Sequence, residues 1–107
     1  MLLAALLALP AAAPTGYPVW IVRHRGRCTY GIQDMMNMSP GDARDWMRNI
    51  PKDWQIDLVW RTRADKGCVA AARAMMREGG FARVVVRHGA PGDYPPALDG
   101  WRDPVLR

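Results

Sequence analysis

The stretch QIDLVWRTRADKGCVAAARAMMREGGFARVVVRH, residues 55–88, carries the three clearest elements of the chain in succession. Ile56, Leu58, Val59 and Trp60 form an apolar run between polar neighbours, and Val84-Val85-Val86 is a second, β-branched run. Between them Val69, Ala72, Met75 and Met76 recur at helical spacing, with Arg73, Arg77 and Glu78 on the other side. The loop over 62–66 is polar, Asp65 is placed to cap the helix, and Gly79-Gly80 ends it. Two strands joined through a helix form a crossover, which lays them parallel in one sheet.

Working outward, residues 19–24 (VWIVRH) and 28–32 (CTYGI) read as strands joined by a tight turn at Arg25-Gly26, a hairpin. Residues 33–38 fit either a continued strand or a loop. Ser39 then starts a helix: Pro40 follows at the first helical position, and Asp42 sits three residues after the cap. Ala43, Trp46, Met47 and Ile50 make one apolar face, and Pro51 stops the helix. The expected fold is α+β, a single β-β-α-β-α-β domain over residues 17–88, with a four-stranded mixed sheet and two helices on one face. Residues 89–107 hold four Pro and three Gly in nineteen positions and read as an irregular tail, anchored by Trp101 or Leu106.

A chain of 107 residues, 50% apolar, accommodates one small domain with a core and no second one. Its first thirteen residues, MLLAALLALPAAA, carry no charge and are too few to span a bilayer. They read as a signal peptide, or as the remnant of a longer membrane segment if the true start lies upstream. The first reading gives a periplasmic or secreted protein; the second would tether the domain to a membrane.

The formal charge is +5, with thirteen Arg against two Lys. Such a balance suits nucleic acid, and five Trp could stack on bases. The cations are nonetheless scattered in sequence among ten acids, and an exported protein rarely meets nucleic acid, so that partner is not expected. The cysteines, Cys28 and Cys68, fit a disulfide in an oxidising compartment or two buried thiols. Two lone Cys and two distant His lack the close ligand pairs of a zinc site, and neither a metal nor another cofactor is expected.

Three further groups suggest chemistry. Arg87-His88-Gly89 after a Val run looks like the arginine-histidine-glycine motif of histidine phosphatases, with Val22-Arg23-His24 as a partial second copy; but in that family the motif follows the first strand and precedes a large domain, so a structural Arg-His pair is the expected reading. Met35-Met36-Asn37-Met38, with Met75-Met76, offers thioethers that could hold cuprous copper or fill gaps in the core. Asp42, Asp45, Asp53, Asp57 and Asp65 all read as caps, turns or surface; Asp57 alone falls inside a strand. No spacing points to a Ser/His/Asp or Cys/His grouping or a phosphate loop, so no catalytic residue is assigned and an enzyme is not expected.

The string LVWRTRADKGCVAAARAMMREGGFARVVVR resembles the C-terminal half of the soluble domain of the ExbD/TolR biopolymer-transport family. Those domains place a short polar loop after a strand, then a helix with Val and Met inside, as Val69 and Met75 or Met76 would be, then Gly-Phe before a Val-rich strand, as Gly80-Phe81 stands here. Ala64-Asp65-Lys66 repeats letters common in the family but sits closer to the helix than is usual there, so no functional equivalence is carried over. The hairpin and the helix between Ser39 and Pro51 fit as well, so the likeness runs over about residues 17–88. It implies a periplasmic domain that dimerises and contacts sibling subunits, an energy-transducing protein or the cell wall. The family's membrane helix and its proton-coupling aspartate are missing from this sequence, so that role does not carry over. An open sheet has two edges that could add a partner's strand. The expectation is an exported protein-binding domain, self-associating through an edge strand; the alternative is a free-standing secreted binding or inhibitor protein of the same fold.

Overall fold

The computed structural model describes residues 16–89; the expected leader, and the expected tail beyond Gly89, lie outside the described residues. Strands β1 (Tyr17–His24) and β2 (Arg27–Ile32) form the expected hairpin. Its turn needs two left-handed residues, and Arg25 at φ 53° and Gly26 at φ 76° supply them. Gln33, also left-handed at φ 57°, turns the chain again, and β3 (Met35–Met38) returns antiparallel to β2. The sheet therefore has five strands where the sequence predicts four. Residues 33–38 were open between strand and loop because a four-residue strand with one face inward and one outward leaves no longer periodicity to read.

Helix α1 (Pro40–Met47) begins as its sequence dictates, with the Ser39 hydroxyl accepting from the Asp42 amide at 3.1 Å and proline at the first position. It leads to β4 (Ile56–Trp60), which pairs parallel with β1, Trp20 opposite Val59. The polar loop after β4 contains a further short helix, α2 (Arg63–Lys66), beyond the two expected. Its cap is Thr62, and Asp65 completes a reciprocal capping box for α2 instead of capping the longer helix. Helix α3 (Val69–Glu78) follows, and after Gly79 and the left-handed Gly80 (φ 98°), β5 (Val84–His88) pairs parallel with β4. The strand order is β3-β2-β1-β4-β5.

Both longer helices cover one face. Val19, Ile21, Tyr30, Ile32, Ile56 and Leu58 from the sheet are buried with Ala43 and Met47 of α1 and Ala72, Met75 and Met76 of α3. On the opposite face Trp20 and Val59 form a second small cluster with Met36. Gly89 lies flat against it: a Cβ there would come within 2.5 Å of a Val59 methyl carbon.

Cys28 and Cys68 are joined in a disulfide, Cα to Cα 5.7 Å, across a separation of 40 residues. It fastens the start of β2 to the start of α3. Closing a loop of that length is worth about 4 kcal/mol in the chain-entropy account, a large part of the roughly 5–15 kcal/mol that holds a domain together. Replacing both residues, Cys28→Ser with Cys68→Ser, is expected to lower the unfolding free energy by about that amount, read as an earlier urea midpoint with little change in slope.

Candidate binding edge of the sheet

The sheet has two edges, and they differ. β3 spans four residues, its register with β2 shifts between Tyr30 and Ile32, and Asn37 within it is left-handed at φ 56°. A short, bulged, irregular strand is a poor template for another chain. β5 is five residues of regular backbone, Val84-Val85-Val86-Arg87-His88, without proline, glycine or register shift.

The hydrogen-bond pattern fixes which β5 groups face outward. The Ile56 amide donates to the Arg83 carbonyl at 2.8 Å, and the Gly89 amide donates to the Trp60 carbonyl at 2.8 Å. In a parallel ladder alternate residues of one strand bond the neighbour, so residues 83, 85, 87 and 89 face β4. The amides and carbonyls of Val84, Val86 and His88 therefore point away from it, and no described strand lies beyond them. Val85 is one of two large apolar side chains among the described residues that stand clearly exposed, at 41%. The other, Trp54, sits in the loop before β4, against Tyr17.

The residues singled out for chemistry are mostly engaged in holding these strands. Arg87 pairs with Asp57 at 3.3 Å. His88 stacks on Trp60 with ring centroids 4.3 Å apart, and its Nε2 lies 3.0 Å from the Arg61 carbonyl oxygen. His24 belongs to β1, with β4 between it and His88. The phosphatase-like triplet is thus built into the strand end as an ion pair, a ring stack and a close-packed glycine. The methionines diverge: Met36 packs against Trp20 and Val59, Met38 against the main core on the opposite face, and Met75 and Met76 are buried in α3. Asp42, Asp45 and Asp53 lie exposed around α1 and the loop after it, Asp45 paired with Arg48 at 3.4 Å.

Asp57 and Asp65 are the buried carboxylates, at 2% and 4% exposure. Asp57 accepts from the Gly16 amide at 2.9 Å and the Gln55 side-chain amide at 2.8 Å, in addition to Arg87. It ties the lead-in to β1 to both parallel strands beyond it. Asp65 accepts from the amides of Arg23 at 2.8 Å and Thr62 at 3.1 Å, joining α2 to the end of β1. Sequence alternation could have flagged Asp57, since Gln55, Asp57 and Val59 share the face opposite the helices; its partners 30 and 41 residues away carry no sequence signal.

Between α1 and α3 a cleft of about 430 Å³ is floored by Met47, Met75, Met76 and Phe81. The Lys52 ammonium lies across it, 4.3 Å from the Phe81 ring centre and donating to the Met47 carbonyl at 3.2 Å. Beneath α1 the Tyr30 phenol is pushed above its ordinary pKa by burial, which the Arg44 charge partly offsets. Among the described residues no group of three His, Cys, Asp or Glu is placed to hold a metal ion.

Asp57→Ala leaves the Gly16 amide and the Arg87 guanidinium without this acceptor. The loss is expected to be about 2–3 kcal/mol, because Arg87 is one-third exposed and water screens part of the cost; Asp57→Asn, which keeps one acceptor oxygen, should lose roughly half as much in urea unfolding. No family model, no curated protein and no solved structure matches this chain.

Proposed function

We propose that this chain is a non-enzymatic, exported binding domain of the ExbD/TolR kind, which holds a protein partner, or a second copy of itself, by adding a strand to the open edge of β5. The observation that carries this reading is the row of outward-facing backbone groups at Val84, Val86 and His88, on a regular apolar strand with no described neighbour beyond it. Main-chain hydrogen bonds would supply affinity there, and the side chains alternating along the added strand would supply selectivity. The blunted β3 edge leaves one template where an open sheet in general has two.

One observation supports export: the Cys28–Cys68 bridge suits an oxidising compartment. No described helix is long and apolar enough to cross a membrane. The buried aspartates support a binding role over an acid-base role, since each is committed to backbone amides that position strands and loops. A free-standing secreted binding or inhibitor protein would use the same edge, and cell-wall contact is the remaining reading of the family likeness.

Proline at Val86 removes an outward amide and no bond to β4, a placement that edge strands tolerate. Val86→Pro is expected to keep a folded, disulfide-bonded monomer and to weaken self-association or partner cross-linking in the host envelope more than tenfold. Val85→Pro, which breaks the β4 ladder, should destabilise the fold itself. Sedimentation and cross-linking yields unchanged by Val86→Pro would overturn the edge-strand reading.

A further inference from the structure

The cations scattered along the sequence do not stay scattered in space. Because β1, β4 and β5 run parallel, their carboxyl ends lie together at one end of the sheet. The β1–β2 turn brings Arg23, Arg25 and Arg27 to that end, and the segment after β4 brings Arg61, Arg63 and Lys66 beside them. Against these six cations stand, among the described residues, Asp65, which is buried and committed to two backbone amides, and Asp42 in the first turn of α1, a helix that starts at Ser39 and Pro40 beside Arg25 and Arg27. The remaining seven Lys and Arg of the described residues are offset by five acids, so four of the six net charges sit at this pole. Arg23, Arg25, Arg27, Arg63 and Lys66 are exposed, and Arg61 is half-buried.

The pole is also held rigid. The Arg23 amide bonds Asp65 at 2.8 Å, and the Arg23 guanidinium donates to the carbonyls of Gly26 at 3.0 Å and Ala64 at 3.4 Å, lacing the two cationic loops together. The disulfide repeats the fastening one residue beyond Arg27 and two beyond Lys66. Six like charges repel, and such clamps hold together the two loops that carry them. Arg25, Arg27 and Arg63 stand exposed outside these clamps, and the planar forks of arginines bind phosphate oxygens in pairs.

We infer that this pole is a binding site for a linear polyanion bearing closely spaced phosphate groups. A membrane surface fits less well, because surface binding gains from inserted apolar groups, and the two large exposed apolar side chains of the described residues, Trp54 and Val85, lie elsewhere: Trp54 at the opposite end and Val85 in the middle of β5. Single-stranded nucleic acid shares the phosphate chemistry, but among the described residues the pole presents no exposed aromatic platform for its bases; Trp60 there is covered by His88 and Lys66. The charge of the chain, more than its bases or any lipid, is what this surface would read. The inference is independent of the β5 edge.

The test measures binding of the oxidised protein to medium-chain polyphosphate by titration calorimetry, from about 50 to 200 mM salt. Four phosphate contacts, from Arg25, Arg27, Arg63 and Lys66, should give roughly a fiftyfold loss of affinity over that range. The triple substitution R25Q, R27Q and R63Q touches none of the clamping hydrogen bonds and should flatten the logarithmic salt slope by about two. R73Q with R77Q, on the outer side of α3, removes charge elsewhere and should leave that slope unchanged. Equal losses in the two variants would mean bulk attraction and overturn the site, as would no polyphosphate binding at low salt. Binding to anionic vesicles without polyphosphate binding would overturn it too, as would an oligothymidylate of equal charge binding more than tenfold tighter.

Discussion

The parallel placement of β4 between β1 and β5 is the constraint from which the rest of the molecule follows. Parallel neighbours cannot be joined by a tight turn, so each must be reached by a crossover, and α1 and α3 are those crossovers. Both lie on one face and bury a shared core with the sheet. Had β4 paired antiparallel to β1, the loop after it would emerge at the other end. Arg61, Arg63 and Lys66 would then be separated from Arg23, Arg25 and Arg27 by the length of a strand.

Parallel pairing forgoes the short-range register that a hairpin turn imposes, and this chain compensates with specific long-range fastenings. Asp57 gathers the lead-in, β4 and β5 on the face away from the helices. Asp65 and the Cys28–Cys68 bridge join the β1–β2 hairpin to the segment after β4 at the carboxyl ends. A one-residue slip of β4 would turn Asp57 into the apolar core and Leu58 out of it, an error penalised on both faces at once. The buried carboxylates thus specify alignment that apolar burial alone would leave loosely determined, at a cost met by the hydrogen bonds each one accepts.

Much of this was legible in the sequence, for reasons that also mark where reading stopped. The strand-helix-strand order over 55–88 and the Ser39-Pro40 helix start rest on periodicity and local capping, and the structure has them in place. β3 and α2 were not legible as elements, since four residues give too few repeats to distinguish a period, and Asp65 reads as a cap for the longer helix where it instead closes the capping box of α2. The disulfide was one of two open outcomes for Cys28 and Cys68, because spacing alone carries no distance between them. Which sheet edge is available needed the bulge between β2 and β3, and the charged pole needed the topology, since contiguous runs are the signal of a charged surface in sequence and here no run exists.

The two surfaces lie at right angles, and this bears on how such a domain could work. The open β5 edge runs along the side of the sheet, while the cationic pole caps the strand ends. They meet at His88: its backbone faces the edge, while its ring packs on Trp60, the ring over which the Lys66 ammonium also lies. A strand added to β5 would lengthen the sheet sideways without covering Arg25, Arg27 or Arg63, which lie two or more strands away or on the loop above. The domain could then hold a protein strand and a polyanion together, each through groups that the other leaves exposed. A strand ending in acidic residues near His88 would gain from the positive field of the pole, whereas a basic one would be repelled, so the pole biases the choice of partner at the edge even where no polyanion is bound.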